Sequence, residues 1–200
     1  MHKIDVIGIG AINIDYIYYP KTLPDRESKI TEGGGEDLEF QRDDLLRSIR
    51  SYHYQQIPRA VQVGGSAYLA IKTIDAIDDK LKTAFIGVCG TPTKDDLELG
   101  FNISMEDEVS FLHNREFLFF SDRPCGLSEV LIKHGTRYAN NINAGSNDEL
   151  HRRLVEHPSN SSLTSYLASA RWIHISSLCD FDQFVYVFEL MKKPRRLILF

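Results

Sequence analysis

The sequence predicts an α/β protein in which helices flank a largely parallel sheet, with a smaller β-rich piece attached. Three observations carry this. The chain opens on a strand, Ile4 to Ile9, that is apolar on both faces, as a central strand covered by helices on both sides must be. Glycine turns, helices and strands then alternate in the manner of parallel α/β units. Residues 108–142 interrupt that alternation with consecutive strands and turn signals.

Each element follows in order. After the first strand comes Gly8-Ile9-Gly10-Ala11-Ile12-Asn13. A dinucleotide fingerprint requires a third glycine where Asn13 stands, then a helix. Asp15-Tyr16-Ile17-Tyr18-Tyr19 follows instead, which is β-like, so a nicotinamide-type site fails here. Residues 26–31 read as polar and extended, and residues 33–35 as a flexible triple glycine. Leu38, Leu45, Leu46, Ile49 and Tyr52 fall at helical spacing over residues 36–56, closed by Pro58. Gly64-Gly65-Ser66 opens a helix whose apolar stripe is Ala67, Ala70, Ile71, Ile74 and Ile77. A strand follows at Thr83 to Val88. Gly126 to Lys133 and Thr136 to Asn141 flank His134-Gly135, a hairpin by turn chemistry. Helix–strand alternation then resumes: a helix at Leu163 to Ala170, a strand at Trp172 to Ser176, a helix at Asp180 to Lys192, and a strand at Arg196 to Phe200.

Composition narrows the function. The 200 residues are 42% hydrophobic and 26% charged, with a net charge of -5. That composition predicts one globular domain, and it offers no electrostatic footprint for nucleic acid or an anionic membrane. The basic clusters at His151-Arg152-Arg153 and at residues 192–196 sit beside helix ends, where cations complement the helix dipole. Cys89, Cys125 and Cys179 form no CxxC pair, which gives no zinc signal and suits a reducing compartment. The start lacks a signal-peptide layout, and no run of about 20 apolar residues exists to span a membrane. The expected location is cytoplasmic.

Three stretches carry chemistry. In Gly8 to Asp15, Asn13 and Asp15 follow a strand and a small-residue turn. On the residues alone Asp15 reads equally as a turn or cap carboxylate and as a binding group, since one carboxylate can accept two hydrogen bonds from a vicinal diol and so fix a polyol in angle as well as place. In Val63-Gly64-Gly65-Ser66-Ala67, the glycines permit positive φ and close approach of a ligand to the backbone, next to unpaired N–H groups at a helix start. In Gly145-Ser146-Asn147-Asp148, Asn147 or Ser146 reads as a helix cap, a structural role. His174 reads as a core histidine. Ser176, at a strand end, lies where open sheets bind ligands. His113, Arg115 and Arg123 read as a solvated face.

Together with Phe85-Ile86-Gly87-Val88-Cys89-Gly90, these stretches resemble the ribokinase-type (PfkB) family of carbohydrate and nucleoside kinases, over about residues 3–200. The resemblance implies a ribokinase-like, Rossmann-like three-layer sheet with a β-rich lid at about 16–34 and 108–142, and a helical insertion at about 36–56. It implies that Asn13, Asp15, Gly64, Gly65 and Ser66 bind the acceptor, a sugar or nucleoside, and that Gly64-Gly65 is a lid hinge. ATP and magnesium are the expected cofactors of the full-length kinase, and lid strands in the family pair in homodimers. Two positions depart from the pattern: Leu69 stands where the family has a sugar-contacting asparagine, and Thr91 where an aspartate is common. The family's catalytic G-A-G-D motif is absent, as is a P-loop. The catalytic aspartate and ATP site are therefore expected after Phe200, with the chain as an acceptor-binding half, inactive alone. The alternative is a non-catalytic sugar- or nucleoside-binding or regulatory protein.

Overall fold

The computed structural model describes residues 4–21, 37–39, 41–55, 58–157, 160–178, 181–191 and 198–199. The readings for residues 22–36, for the basic cluster at 192–196 and for Cys179 lie outside these.

The main sheet joins β1 (Ile4–Ile9), β5 (Thr83–Thr91), β6 (Leu118–Pro124), β9 (Ala170–Ile175) and β10 (Ile198–Leu199). Its order is β10-β9-β1-β5-β6, and every pair is parallel. Helix α2 (Ser66–Ile77) covers one face of β1 and β5. Val6, Phe85 and Cys89 pack there with Ala67, Tyr68 and Ile71 of α2. The opposite face is covered by α5 (Leu150–Glu156), α6 (Asn160–Ala168) and α7 (Phe181–Met191). Ile7, Ile9, Ile86 and Val88 meet Leu154, Leu163, Leu167 and Val187 there. Two buried faces explain why β1 and β5 are apolar throughout.

A second sheet has the order β3-β8-β7-β2-β4. It contains β2 (Asn13–Tyr18), β3 (Asp37–Glu39), β4 (Ala60–Gly64), β7 (Gly126–Lys133) and β8 (Thr136–Asn143). The β7–β8 turn has φ 51° at His134 and 81° at Gly135, the two left-handed residues that match hairpin twist. One face of β2 (Ile14, Tyr16, Tyr18) is buried, while the other (Asn13, Asp15, Ile17) is half-buried. Helix α1 (Arg42–Gln55) covers the buried side with Leu45, Leu46 and Ile49. The Tyr18 hydroxyl donates to the Ile49 carbonyl at 3.3 Å, and the Ser48 hydroxyl to buried Glu129 at 2.7 Å.

The expected α/β architecture with a β-rich second sheet is what the structure has, with three local differences. The helix expected over 36–56 begins only at Arg42, because residues 37–39 pair with β8. Residues 108–142 are not all consecutive strands: after α3 (Lys94–Glu98), α4 (Met105–Glu108) and a loop precede β6, and β6 joins the main sheet beside β5. Strand β4 was not foreseen; it pairs antiparallel with β2.

Candidate functional site

The C-terminal ends of β1 and β9 converge where the sheet order reverses direction, the place where open α/β sheets bind ligands. Gly10 is required there because a Cβ on it would overlap the Ser176 carbonyl. Ser176 N–H donates to the Ile9 carbonyl at 3.1 Å, and Ala11 N–H to the Ser177 carbonyl at 3.0 Å. Ser176 thus serves through its backbone in closing this junction. Ser177 takes φ 57°, a left-handed conformation uncommon for serine.

From this junction the chain enters β2. Register places Asn13 opposite Gly64 of β4 and Gly126 of β7, and Asp15 opposite Gln62 and Ser128. Because side chains alternate along a strand, Asn13, Asp15 and Ile17 share one face with Gln62 and Ser128. Gly64 has a specific purpose: a Cβ there would overlap both carboxylate oxygens of Asp15. Gly65 has φ 104°, and its Cβ would strike the Ala11 carbonyl. It precedes α2 without a side-chain cap, so the first N–H groups of α2 are left for other acceptors. Ser66, at the helix start, is exposed. Asn13, Asp15, Gly64, Gly65 and Ser66 are therefore brought together by one pairing of strands and one turn.

Asn147 acts differently from a helix cap. Its residues form a 3-10 turn, Gly145–Glu149, with no side-chain cap. Its amide is 2% exposed and reaches back across the molecule. Asn147 Oδ1 accepts from Ile12 N–H at 3.0 Å, while Nδ2 donates to Ile12 O (3.1 Å), Asn13 Oδ1 (2.9 Å) and Ala144 O (2.9 Å). Gln183 of α7 donates to its carbonyl at 3.0 Å. Asn147 therefore fixes the strand entry that carries Asn13 and Asp15. A Cβ on Gly126 would overlap both Asn13 Oδ1 and Asn147 Nδ2, so that glycine makes room for the contact.

A second clamp holds α1 to the body of the protein. Arg42 donates to Asp96 Oδ2 and to the Cys125 carbonyl, both at 2.7 Å. Asp96 is fully buried, and its Oδ2 also accepts from Thr93 N–H at 2.8 Å. The Tyr16 hydroxyl donates to the Asp96 carbonyl at 3.2 Å. Burial, followed by the nearby Asp96 charge, pushes the Tyr16 phenol well above its usual range.

Several residues stand apart from this cradle. Leu69, on α2, is half-buried and packs against the core, offering no polar contact. The Thr91 hydroxyl donates to the Ser121 carbonyl at 3.0 Å. His113 bonds to Thr83 at the opposite, N-terminal end of β5. Arg115 is exposed, and Arg123 sits 3.7 Å from Asp148. His174 is half-buried, and burial holds its imidazole below the usual range. Among the described residues, no group of three His, Cys, Asp or Glu side chains is placed to hold a metal, and no helix is long and apolar enough to cross a membrane. Sequence reasoning missed Gln62 and Ser128 beside Asp15. Their signal was present only in the register of β4 and β7 against β2.

No protein-family profile matches the sequence, and no curated protein matches it at a significant level. Solved structures do match. The chain is similar to adenosine kinase from Anopheles gambiae in complex with a di(adenosine-5) tetraphosphate, at TM-score 0.67 and 15% identity, over 97% of this chain and 55% of that one. It is similar to adenosine kinase from Schistosoma mansoni in complex with 2-fluoroadenosine, at TM-score 0.67 and 16% identity, over 97% and 54%. It is also similar to ribokinase from Giardia lamblia, at TM-score 0.61 and 18% identity, over 98% and 50%. The chain thus spans about half the length of the solved kinases it matches. Its fold is ribokinase-like, an α/β sheet with a mixed β-sheet lid.

Proposed function

We infer from this ribokinase-like fold and the Asp15 cradle that the chain is the acceptor-binding portion of a small-molecule kinase acting on a nucleoside or sugar hydroxyl. The observation that carries the reading is the Asp15 carboxylate resting on Gly64, with Asn13 on the same face and the uncapped start of α2 adjoining. A carboxylate so seated accepts both protons of a ribose diol. Asn13 adds an amide beside it, and the Gly65-Ser66 backbone offers N–H groups to further acceptor oxygens. In this reading the β3-β8-β7-β2-β4 sheet is the lid, α1 is an insertion on its outer side, and Gly64-Gly65 is the hinge. Lid closure excludes water from the acceptor hydroxyl.

A nucleoside fits better than a free sugar. One residue pair beyond Asp15, about 6.7 Å along the strand, Ile17 registers with Ala60 and Val130. An apolar row next to a diol-binding carboxylate suits an aromatic base. ATP and magnesium would supply the phosphoryl group and its charge neutralisation. The reading assigns them, with the catalytic base, to the part of the matched kinases that this chain does not cover. A homodimer through lid strands would use the sheet's β3 or β4 edge, since α1 already buries the Tyr16 face.

Calorimetry with adenosine and 2′,3′-dideoxyadenosine tests the reading. Adenosine is expected to bind and the dideoxy analogue to bind at least tenfold more weakly. Equal affinities would show that no diol is recognised. A chain that bound adenosine but gave no phosphoryl transfer when joined to a kinase C-terminal half would favour the non-catalytic alternative, which the apolar Leu69 supports.

A further inference from the structure

The lid sheet joins the rest of the molecule through connections that lie side by side. The chain enters β2 from β1 through residues 10–12, leaves β4 at Gly64 into α2, passes from β6 into β7 at Cys125, and leaves β8 at Asn143 into the 3-10 turn. The near ends of these strands are in register: Asn13 pairs with Gly64 and Gly126, and Leu127 with Asn143. Connections gathered on one line form an axis about which a sheet can turn. Whatever holds the sheet against turning must act away from that axis.

Helix α1 and strand β2 carry contacts of that kind. Helix α1 is fastened to the lid by the Ser48–Glu129 and Tyr18–Ile49 hydrogen bonds. It is fastened to the segment between β5 and β6 by two arginines. Arg42 donates to Asp96 and to the Cys125 carbonyl, close to the axis. Arg50, about 12 Å further along the helix, pairs with Asp95 and lies 3.8 Å from Glu98. Tyr16, about 10 Å along β2 from Asn13, donates to the Asp96 carbonyl at 3.2 Å. All three side chains converge on α3. Beneath them one buried cluster takes in Tyr16, Leu45 and Ile49 from the lid and Leu99, Phe101 and Met105 from the segment after α3.

Asp96 sets how firmly this attachment holds. It is fully buried, and its Oδ1 has no hydrogen-bond partner among the described residues. Its Oδ2 accepts from Arg42 and from Thr93 N–H, and Arg42 is the one cation paired with it among the described residues. Drawing Arg42 away leaves a buried charge uncompensated, so any turn that parts α1 from α3 is opposed.

We propose that α1 is a latch: the lid sheet turns about the Gly64-Gly65 line only when Arg42 releases Asp96. The latch, rather than the freedom of the two glycines, then governs access to the face that carries Asn13 and Asp15. The free protein holds its lid in one position, and that face is formed before a ligand arrives. The proposal rests on the second sheet being the lid, and is independent of which acceptor it covers.

A pair of spin labels tests this by double electron–electron resonance on the intact 200-residue chain without ligand. The labels go on Lys133→Cys, at the far end of β7, and on Lys80→Cys, an exposed position after α2, with Cys179→Ser as background; Cys89 and Cys125 are buried. The labelled parent is expected to give one narrow distance distribution. Arg42→Gln, which keeps donors and removes the charge, is expected to raise a second, displaced population at least about tenfold. Arg42→Lys, which keeps the charge, is expected to stay nearer the parent. Should Arg42→Gln fail to fold by far-UV dichroism, Arg50→Ala combined with Tyr16→Phe decides on the same terms. Two comparable populations in the parent would overturn the proposal, as would a distribution that these substitutions leave unchanged. Calorimetry with adenosine on the same proteins reports separately on the acceptor reading.

Discussion

Replacing Asn147 with alanine removes one accepted hydrogen bond and two N–H donors shared among three acceptors, at a position 2% exposed. The cost depends on what is left behind. The Ala144 carbonyl keeps a bond from the Asn147 backbone N–H at 3.0 Å, and half-buried Asn13 can turn to water. The Ile12 N–H and carbonyl lose their side-chain partner within the interior. A buried polar group left unpaired costs about 1–3 kcal/mol, so the two together predict a loss of roughly 2–6 kcal/mol. For a protein of this size that is a fall in Tm of at least about 4 °C. Asn147→Asp is expected to be worse than Asn147→Ala. It sets a carboxylate oxygen against Ile12 O, Asn13 Oδ1 and Ala144 O, where the amide nitrogen now donates. Urea unfolding followed by Trp172 fluorescence and far-UV dichroism measures both variants. A loss below about 1 kcal/mol, or an aspartate tolerated as well as asparagine, would refute the account of Asn147 as the tether of the β1–β2 entry.

Three further outcomes follow from the geometry. Gly64→Ala places a methyl group on the Asp15 carboxylate, so it should weaken adenosine binding more than tenfold while the fold persists; unchanged affinity in calorimetry would contradict the cradle. Arg42→Ala leaves buried Asp96 without its cation and should cost about 3 kcal/mol or more, part of it recovered by adding Asp96→Asn; a neutral result in urea unfolding would argue against the clamp. Burial, with the neighbouring Asp96 charge, pushes the Cys125 thiol up to about 12, and burial raises Cys89 and the Tyr18 phenol as well. Groups that hold their protons more tightly when folded stabilise fully below their unfolded pKa and lose that contribution as pH rises. The unfolding free energy, and with it the urea midpoint, should therefore fall above about pH 9 for the thiols and above about pH 10 for the phenol, at up to about 1.4 kcal/mol per pH unit for each group. A midpoint level from pH 7 to 10.5 would contradict this.

The legible parts of the fold were those written in local pattern. Strand β1 announced itself because both its faces are buried, and the His134-Gly135 turn because only a few residues tolerate two left-handed positions. The start of α2 was marked by Gly64-Gly65. What escaped was set by distant pairing. Strand β4 has a five-residue sequence ending in a glycine, and only its ladder with β2 makes it a strand. Leu38 matched helical spacing, yet the stretch around it pairs with β8. Strand β6 read as one of the consecutive strands of residues 108–142, but its partner is β5 of the main sheet. The site divides the same way. Asn13, Asp15 and the two glycines were readable as motifs, whereas Gln62 and Ser128 join them only through register. Asn147 carried a plausible local role as a cap, but its partners lie 134 and 135 positions away, beyond what spacing can show.

The most direct test of the central claim is adenosine binding to the intact chain and to Asp15→Asn by isothermal calorimetry. The substitution keeps shape and removes the charge to which the proposed function assigns the diol. Hydrogen bonds to a charged group contribute about 1.5–3 kcal/mol each, so affinity should fall at least about tenfold with no change in urea midpoint. Equal affinity of the two proteins, or no adenosine binding by the folded wild type, would contradict the assignment of Asp15 as the acceptor-binding carboxylate.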